Sequence, residues 1–336
     1  LTMVLGLAAC GGNTATTDST DGDTAAKADG NVPVIGISQY GQHASLDNCR
    51  EGFLQGLEQA GLVEGTDFEV DYQNANFDDN QATQIGQMFS AEDVDLMVGI
   101  ATNAAVACFH AAEDKDIPVI FTAITDPVGA HLDAGNITGT SDALNTDAIM
   151  NLILAVNPDI DTIGLLYDLS QDASTQAIAD AKAFCDSKGI KYIEKNGTTT
   201  AEVQMAAEAL IAAGVKAVFT PTDNTVMTAE LSIYETFTEA GVQHYTGADS
   251  FALNGAFVGY GVDYVQLGEA TADMVSQLLC DGKTPADLPY QTFDNGIVTI
   301  NTETAEALGL DLAALKEAFK PYCTEICEVT TAENFS

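Results

Sequence analysis

From Pro33 onward, short apolar runs of strand length alternate with longer stretches in which apolar residues recur at helical spacing. Val34-Ile35-Gly36-Ile37 reads as a buried strand, after which Leu46, Phe53, Leu54 and Leu57 share a helical face that stops at Gly61. That is one β-α unit. Further strand-like runs fall at 68–72, 96–100, 118–124 and 137–140, with helical stretches between the first four strands. A second series runs through 162–167, 190–193, 217–220, 243–246 and 256–260. Two β-α series of similar length, with crossovers right-handed by rule, predict an α/β protein of two doubly wound parallel sheets. In such sheets ligands bind beyond the carboxyl ends of the strands, so the residues that follow each apolar run carry the functional reading.

The segment ahead of Pro33 differs. An apolar run ends in Leu7-Ala8-Ala9-Cys10, followed by Gly11-Gly12, which reads as a truncated lipoprotein signal over 1–10 with Cys10 as the lipidated residue. Residues 11–31 are Gly, Thr, Asp, Ser and Ala without periodicity, and they are expected to form a flexible tether reaching about 25 Å. No later run approaches the roughly 20 apolar residues that span a bilayer, so the expectation is a protein anchored to the membrane by lipid alone.

Composition narrows the partners. The 336 residues, 46% hydrophobic, suffice for a sizeable core and favour two lobes over one. Against 50 Asp and Glu stand 11 Lys and Arg, a net charge of −39, which repels polyphosphate and anionic lipid and argues against nucleic acid as a partner. Arg50 is the single arginine. A ligand carboxylate would therefore fall to hydroxyls and helix N-termini, unless Arg50 itself reaches it. Six cysteines besides Cys10 allow fifteen complete disulfide pairings, and their spacing selects none. No cofactor or metal is expected: a Walker A run is absent, Gly259-Tyr260-Gly261 lacks the third glycine of a dinucleotide fingerprint, and His43, His110, His131 and His244 have no ligand spacing.

The strand ends supply the candidate site. In the first series they deliver Ser38-Gln39-Tyr40-Gly41, Thr102-Asn103 opening a helix, and Thr125-Asp126-Pro127-Val128-Gly129. In the second they deliver Tyr167-Asp168, Thr222-Asp223-Asn224, Asp249-Ser250 and Tyr260. One half offers hydroxyls and helix N-termini and the other carboxylates, an asymmetry that suits a zwitterion. Tyr40, Tyr167, Phe251, Tyr260 and Tyr264 stand at or near these ends as candidates to stack on a ring.

The ordered set Ile35-Gly36-Ile37-Ser38-Gln39-Tyr40, Arg50-Glu51-Gly52-Phe53, Asp71-Tyr72-Gln73-Asn74, Thr125-Asp126-Pro127-Val128-Gly129-Ala130, Gly139-Thr140-Ser141-Asp142, Pro221-Thr222-Asp223-Asn224-Thr225 and Tyr260-Gly261-Val262-Asp263 resembles the ABC-transporter substrate-binding family that includes tryptophan- and tyrosine-binding lipoproteins. The resemblance covers about 34–310. It implies a type I periplasmic-binding-protein fold, two lobes joined by three hinge crossings: 32–141 with 263–288 in the first, 142–262 with 289–320 in the second, and 321–336 as a C-terminal extension. It implies that Thr102 and Thr125 hold a ligand carboxylate, and Asp223, Asn224 and Asp249 its amino group. It implies a monomer that hands a small solute, an aromatic amino acid by preference, to an ABC permease and its ATPase subunit outside the cytoplasm. Many relatives carry Asn-x-Ser-Glu-x-Asn-Ser where this chain has Asp168-Leu169-Ser170-Gln171-Asp172-Ala173-Ser174. That departure leaves branched-chain amino acids, nucleosides and sugars open as ligands, and a sensory role open as an alternative to transport. An amino-acid racemase would need a cysteine where Ala101 stands.

Overall fold

A computed structural model describes residues 32–293 and 296–332, so the Cys10 and tether assignments lie outside the described residues. The first series forms β1 (Val34–Gln39), α1 (Ala44–Gln59), β2 (Glu69–Asn74), α2 (Asp79–Ala91), β3 (Leu96–Ile100), α3 (Thr102–Ala112), β4 (Val119–Ile124) and β5 (Ile137–Ser141). The second forms α4 (Thr146–Val156), β6 (Thr162–Tyr167), α5 (Asp172–Lys188), β7 (Lys191–Asn196), α6 (Thr200–Ala212), β8 (Ala217–Thr220), α7 (Asn224–Glu239), β9 (Gln243–Thr246), α8 (Asp249–Leu253) and β10 (Val258–Gly261). The chain ends with α9 (Tyr264–Asp281), β11 (Gln291–Thr292), β12 (Ile297–Asn301), α10 (Thr302–Ala307), α11 (Leu312–Phe319) and β13 (Glu325–Val329).

Two sheets result, ordered β11-β5-β4-β3-β1-β2 and β13-β12-β10-β9-β8-β6-β7. Every pairing between these strands is parallel except β10 with β12. β3 and β4 are buried along their whole length, as strands covered by helices on both faces must be. Side-chain caps start many of the helices: Asp78, Asn145, Thr199, Asp223 and Asp263 each accept from a backbone N–H in the first turn that follows.

The strand order requires three passages between the sheets: after β5, between β10 and α9, and between β11 and β12. Two details differ from the sequence boundaries. Gln291–Thr292 pairs with β5 and so extends the first sheet past residue 288. Within 321–336, β13 pairs with β12 along five residues and forms an edge of the second sheet. None of its five residues is buried and it carries two glutamates, which hid it from a search for apolar runs.

α9 returns to the first sheet against α1 through glycines. A Cβ on Gly52 would stand 2.1 Å from the Val265 carbonyl oxygen, and one on Gly268 would stand 2.1 Å from that of Cys49. Backbones this close fix α1, whose N-terminus points at the space between the sheets.

Candidate binding site

The carboxyl ends of β1, β3 and β4 and those of β8 and β9 converge on one cavity, with Asp142 and Tyr264 at two of the passages completing its wall. On the first-sheet side, Ala101 takes φ 75° and ψ 156°, a conformation that side chains rarely adopt, and leaves the first turn of α3 without a side-chain cap. The Thr102 hydroxyl beside it is buried with no hydrogen-bond partner among the described residues. A helix N-terminus without a side-chain cap is an end to which anions bind. In β4, Ala123 takes φ 57° where the register with β5 shifts between Phe121 and Ile124. This bulge precedes Thr125, whose hydroxyl bonds Thr222 at 2.7 Å and Asp142 at 3.3 Å.

The opposite wall is acidic. Asp223 is fully buried: Oδ1 accepts from the Val226 N–H at 2.9 Å, and Oδ2 accepts from the Asp168 N–H at 2.8 Å and the Ser174 hydroxyl at 2.7 Å. A carboxylate has about four acceptor positions, so one remains. Burial raises its pKa to about 6 against these lowering hydrogen bonds. Asp142, also buried, accepts from Tyr264 OH at 3.0 Å, and burial raises its pKa too. No Lys or Arg stands among the described residues that line the cavity. His43 does, but burial holds its pKa near 4 and the ring neutral. Two buried carboxylates on one cavity make a field that favours a cation.

The two sides touch directly. His43 Nε2 lies 3.3 Å from Asn224 Oδ1, the Ser45 hydroxyl donates to Asp249 at 2.9 Å, and Thr125 meets Thr222. The enclosed volume is about 30 Å³, enough for a water or two. An amino acid enters only if the sheets part.

Of the polar residues singled out in the sequence, Thr102, Thr125, Thr222, Asp223, Asn224 and Ser250 line this cavity, and Asp249 stands at its interlobe contact. Gln39, Tyr40, Asn103, Asp126, Tyr167 and Tyr260 do not line it. The Gln39 amide donates to the Gly41 carbonyl and to Asp47, and its oxygen accepts from Arg50, which also bonds Tyr72; that arginine is thereby spent away from the site. Tyr40 and Asn103 both donate to Asp79. Asp126 caps its own turn at Gly129, Tyr167 donates to Glu194, and Tyr260 reaches the Tyr322 carbonyl. Of the candidate ring contacts only Phe251 and Tyr264 line the cavity. Sequence reasoning missed His43, Ser45, Asp142 and Met227 as wall residues. Asp142 was within reach, as it directly follows an apolar strand; His43 and Ser45 lie several residues beyond a strand end, in a loop whose path periodicity does not give. The altered 168–174 segment holds Asp223 in place through the Asp168 N–H and Ser174.

The chain belongs to the family of ABC transporter substrate binding proteins, whose model matches residues 34–320. It is 31% identical over 282 residues to a tyrosine-binding protein of Clostridioides difficile, covering 82% of this chain and 81% of that one. Among solved structures, the ABC domain from Streptococcus pneumonia in complex with L-Trp is 30% identical with a TM-score of 0.80, over 88% of this chain and 100% of that one. The ligand-free, open structure of a substrate binding protein with adhesive properties from Clostridium difficile is also 30% identical, with a TM-score of 0.67 over 90% of this chain and 100% of that one. The fold is that of the type I periplasmic binding proteins. Among the described residues no helix is long and apolar enough to cross a membrane.

Proposed function

We propose that this protein binds the zwitterion of an aromatic amino acid between its two lobes and delivers it, as a monomer outside the cytoplasm, to an ABC permease and its ATPase subunit. The observation that carries the reading is the polarity of the cavity: a helix N-terminus without a side-chain cap and the Thr102 hydroxyl, which has no hydrogen-bond partner among the described residues, on one side, and the buried Asp223 on the other, with Asp142 at a passage between them. The carboxylate sits on the first and the ammonium on the second, with Leu46, Met227 and Phe251 flanking the side chain. The tyrosine- and tryptophan-binding relatives support the same ligand class. The lobes act as a clamp, since ligand contacts to both sides exist only when they close. At equal identity the chain is closer in shape to the L-Trp complex than to the open, ligand-free structure, which supports a closed arrangement here.

Calorimetric titration with tyrosine, tryptophan, phenylalanine, leucine, a nucleoside and a hexose tests the ligand class. Aromatic amino acids should bind tightest; heat from the nucleoside or hexose alone would refute the assignment. The lipid anchor at Cys10 is part of the same proposal. Cys10→Ala should release the full-length precursor's product from the membrane fraction, and retention there would count against anchoring.

A further inference from the structure

One wall residue has a buried polar atom that the zwitterion does not explain. His43, 5% exposed, precedes α1 and lines the cavity, and its Nδ1 is buried with no hydrogen-bond partner among the described residues. The tautomer is set by the hydrogen bonds of Asn224. The Gln171 oxygen accepts from Asn224 Nδ2 at 3.3 Å, which leaves Asn224 Oδ1 as the acceptor toward His43 Nε2 at 3.3 Å. Nε2 therefore carries the hydrogen and Nδ1 a bare lone pair. The ring plane is fixed as well: Phe77 stacks on it with 5° between planes and centroids 6.3 Å apart. Phe77 holds this place at φ 61°, against a Gly41 where a Cβ would stand 2.0 Å from its ring.

Resting on the aromatic amino-acid reading above, we propose that His43 sets side-chain specificity: its Nδ1 accepts a hydrogen bond from a donor on the ligand's ring, a phenol O–H or an indole N–H. The ammonium does not compete for this atom, because Asp142 and Asp223 offer it negative charge and a neutral imidazole offers less. A ligand without a ring donor leaves the buried acceptor unpaired, which disfavours it by roughly ten- to a hundredfold.

The test compares tyrosine, tryptophan and phenylalanine by calorimetry on the wild-type protein, His43→Phe and His43→Asn. The wild type should prefer tyrosine and tryptophan over phenylalanine by at least about tenfold. His43→Phe, which keeps a ring against Phe77, should bring the three ligands to within about threefold of one another, and His43→Asn, which restores an acceptor near the Nδ1 position, should regain part of the preference. A wild type that binds all three alike overturns the proposal, as does a preference that survives in His43→Phe. Equal weakening of all three ligands in His43→Phe would place Nδ1 on the ammonium and overturn it too. If none of the three binds the wild type, the ligand class itself is wrong and this inference falls with it.

Discussion

On the proposed reading, Asp223 couples ligand binding to protons. Its pKa is raised to about 6 by burial, so the pocket takes up a proton more readily than an open-chain aspartate does. A ligand ammonium competes with that proton. Amino-acid affinity should therefore be flat above pH 6 and fall by up to about tenfold per unit below it, measured as the dissociation constant across pH 4.5 to 8. Asp223→Asn should remove that slope and cost about 2 kcal/mol or more of binding at pH 7, because it deletes the counter-charge in a desolvated site. Thr102→Val should cost less, about 1 kcal/mol, since the α3 N–H groups remain. Unchanged affinity in both variants would reduce these residues to helix caps. Residue roles were only half legible beforehand: Thr102 and Asp223 stand just past the ends of apolar strands and reach the cavity, whereas Tyr167 and Tyr260, at the ends of β6 and β10, turn away from it to Glu194 and Tyr322. Which face of a strand end a side chain takes depends on packing partners far away in sequence.

Among the elements, α1 matters most to the site, because His43, Ser45 and Leu46 all sit at its start. Its position depends on the close crossing with α9, where Gly52 and Gly268 leave no room for a side chain. Gly268→Ala should force the helices apart and destabilise the fold by about 1 to 3 kcal/mol, read from urea unfolding midpoints, and should weaken binding along with it. A neutral outcome would show that the crossing is looser than its geometry. The β-α alternation was readable because parallel strands buried on both faces give continuous apolar runs, as in β3 and β4. β13 escaped that reading because an edge strand half open to solvent needs no such run. The bulge at Ala123 and the strained turn at Ala101 escaped it too, since alanine carries no signal for a positive φ.

At the scale of the molecule, three passages link two sheets, and a cavity of about 30 Å³ closed by His43–Asn224, Ser45–Asp249 and Thr125–Thr222 contacts lies between them. A ligand must open these contacts to enter and then replaces them with its own, so binding and closure are one equilibrium. The two-lobe plan followed from the repeat of the β-α series, while the extent of closure did not, because it depends on contacts between residues about 180 to 200 positions apart. The chain contains no tryptophan, so indole-selective excitation sees added L-tryptophan against no protein indole. Titrating the protein into a fixed amount of L-tryptophan and following the anisotropy of its emission tests the central claim most directly. The anisotropy should rise to saturation and fall back when excess tyrosine is added; a flat trace at protein concentrations where the fold is intact would contradict the binding of an aromatic amino acid in this cleft.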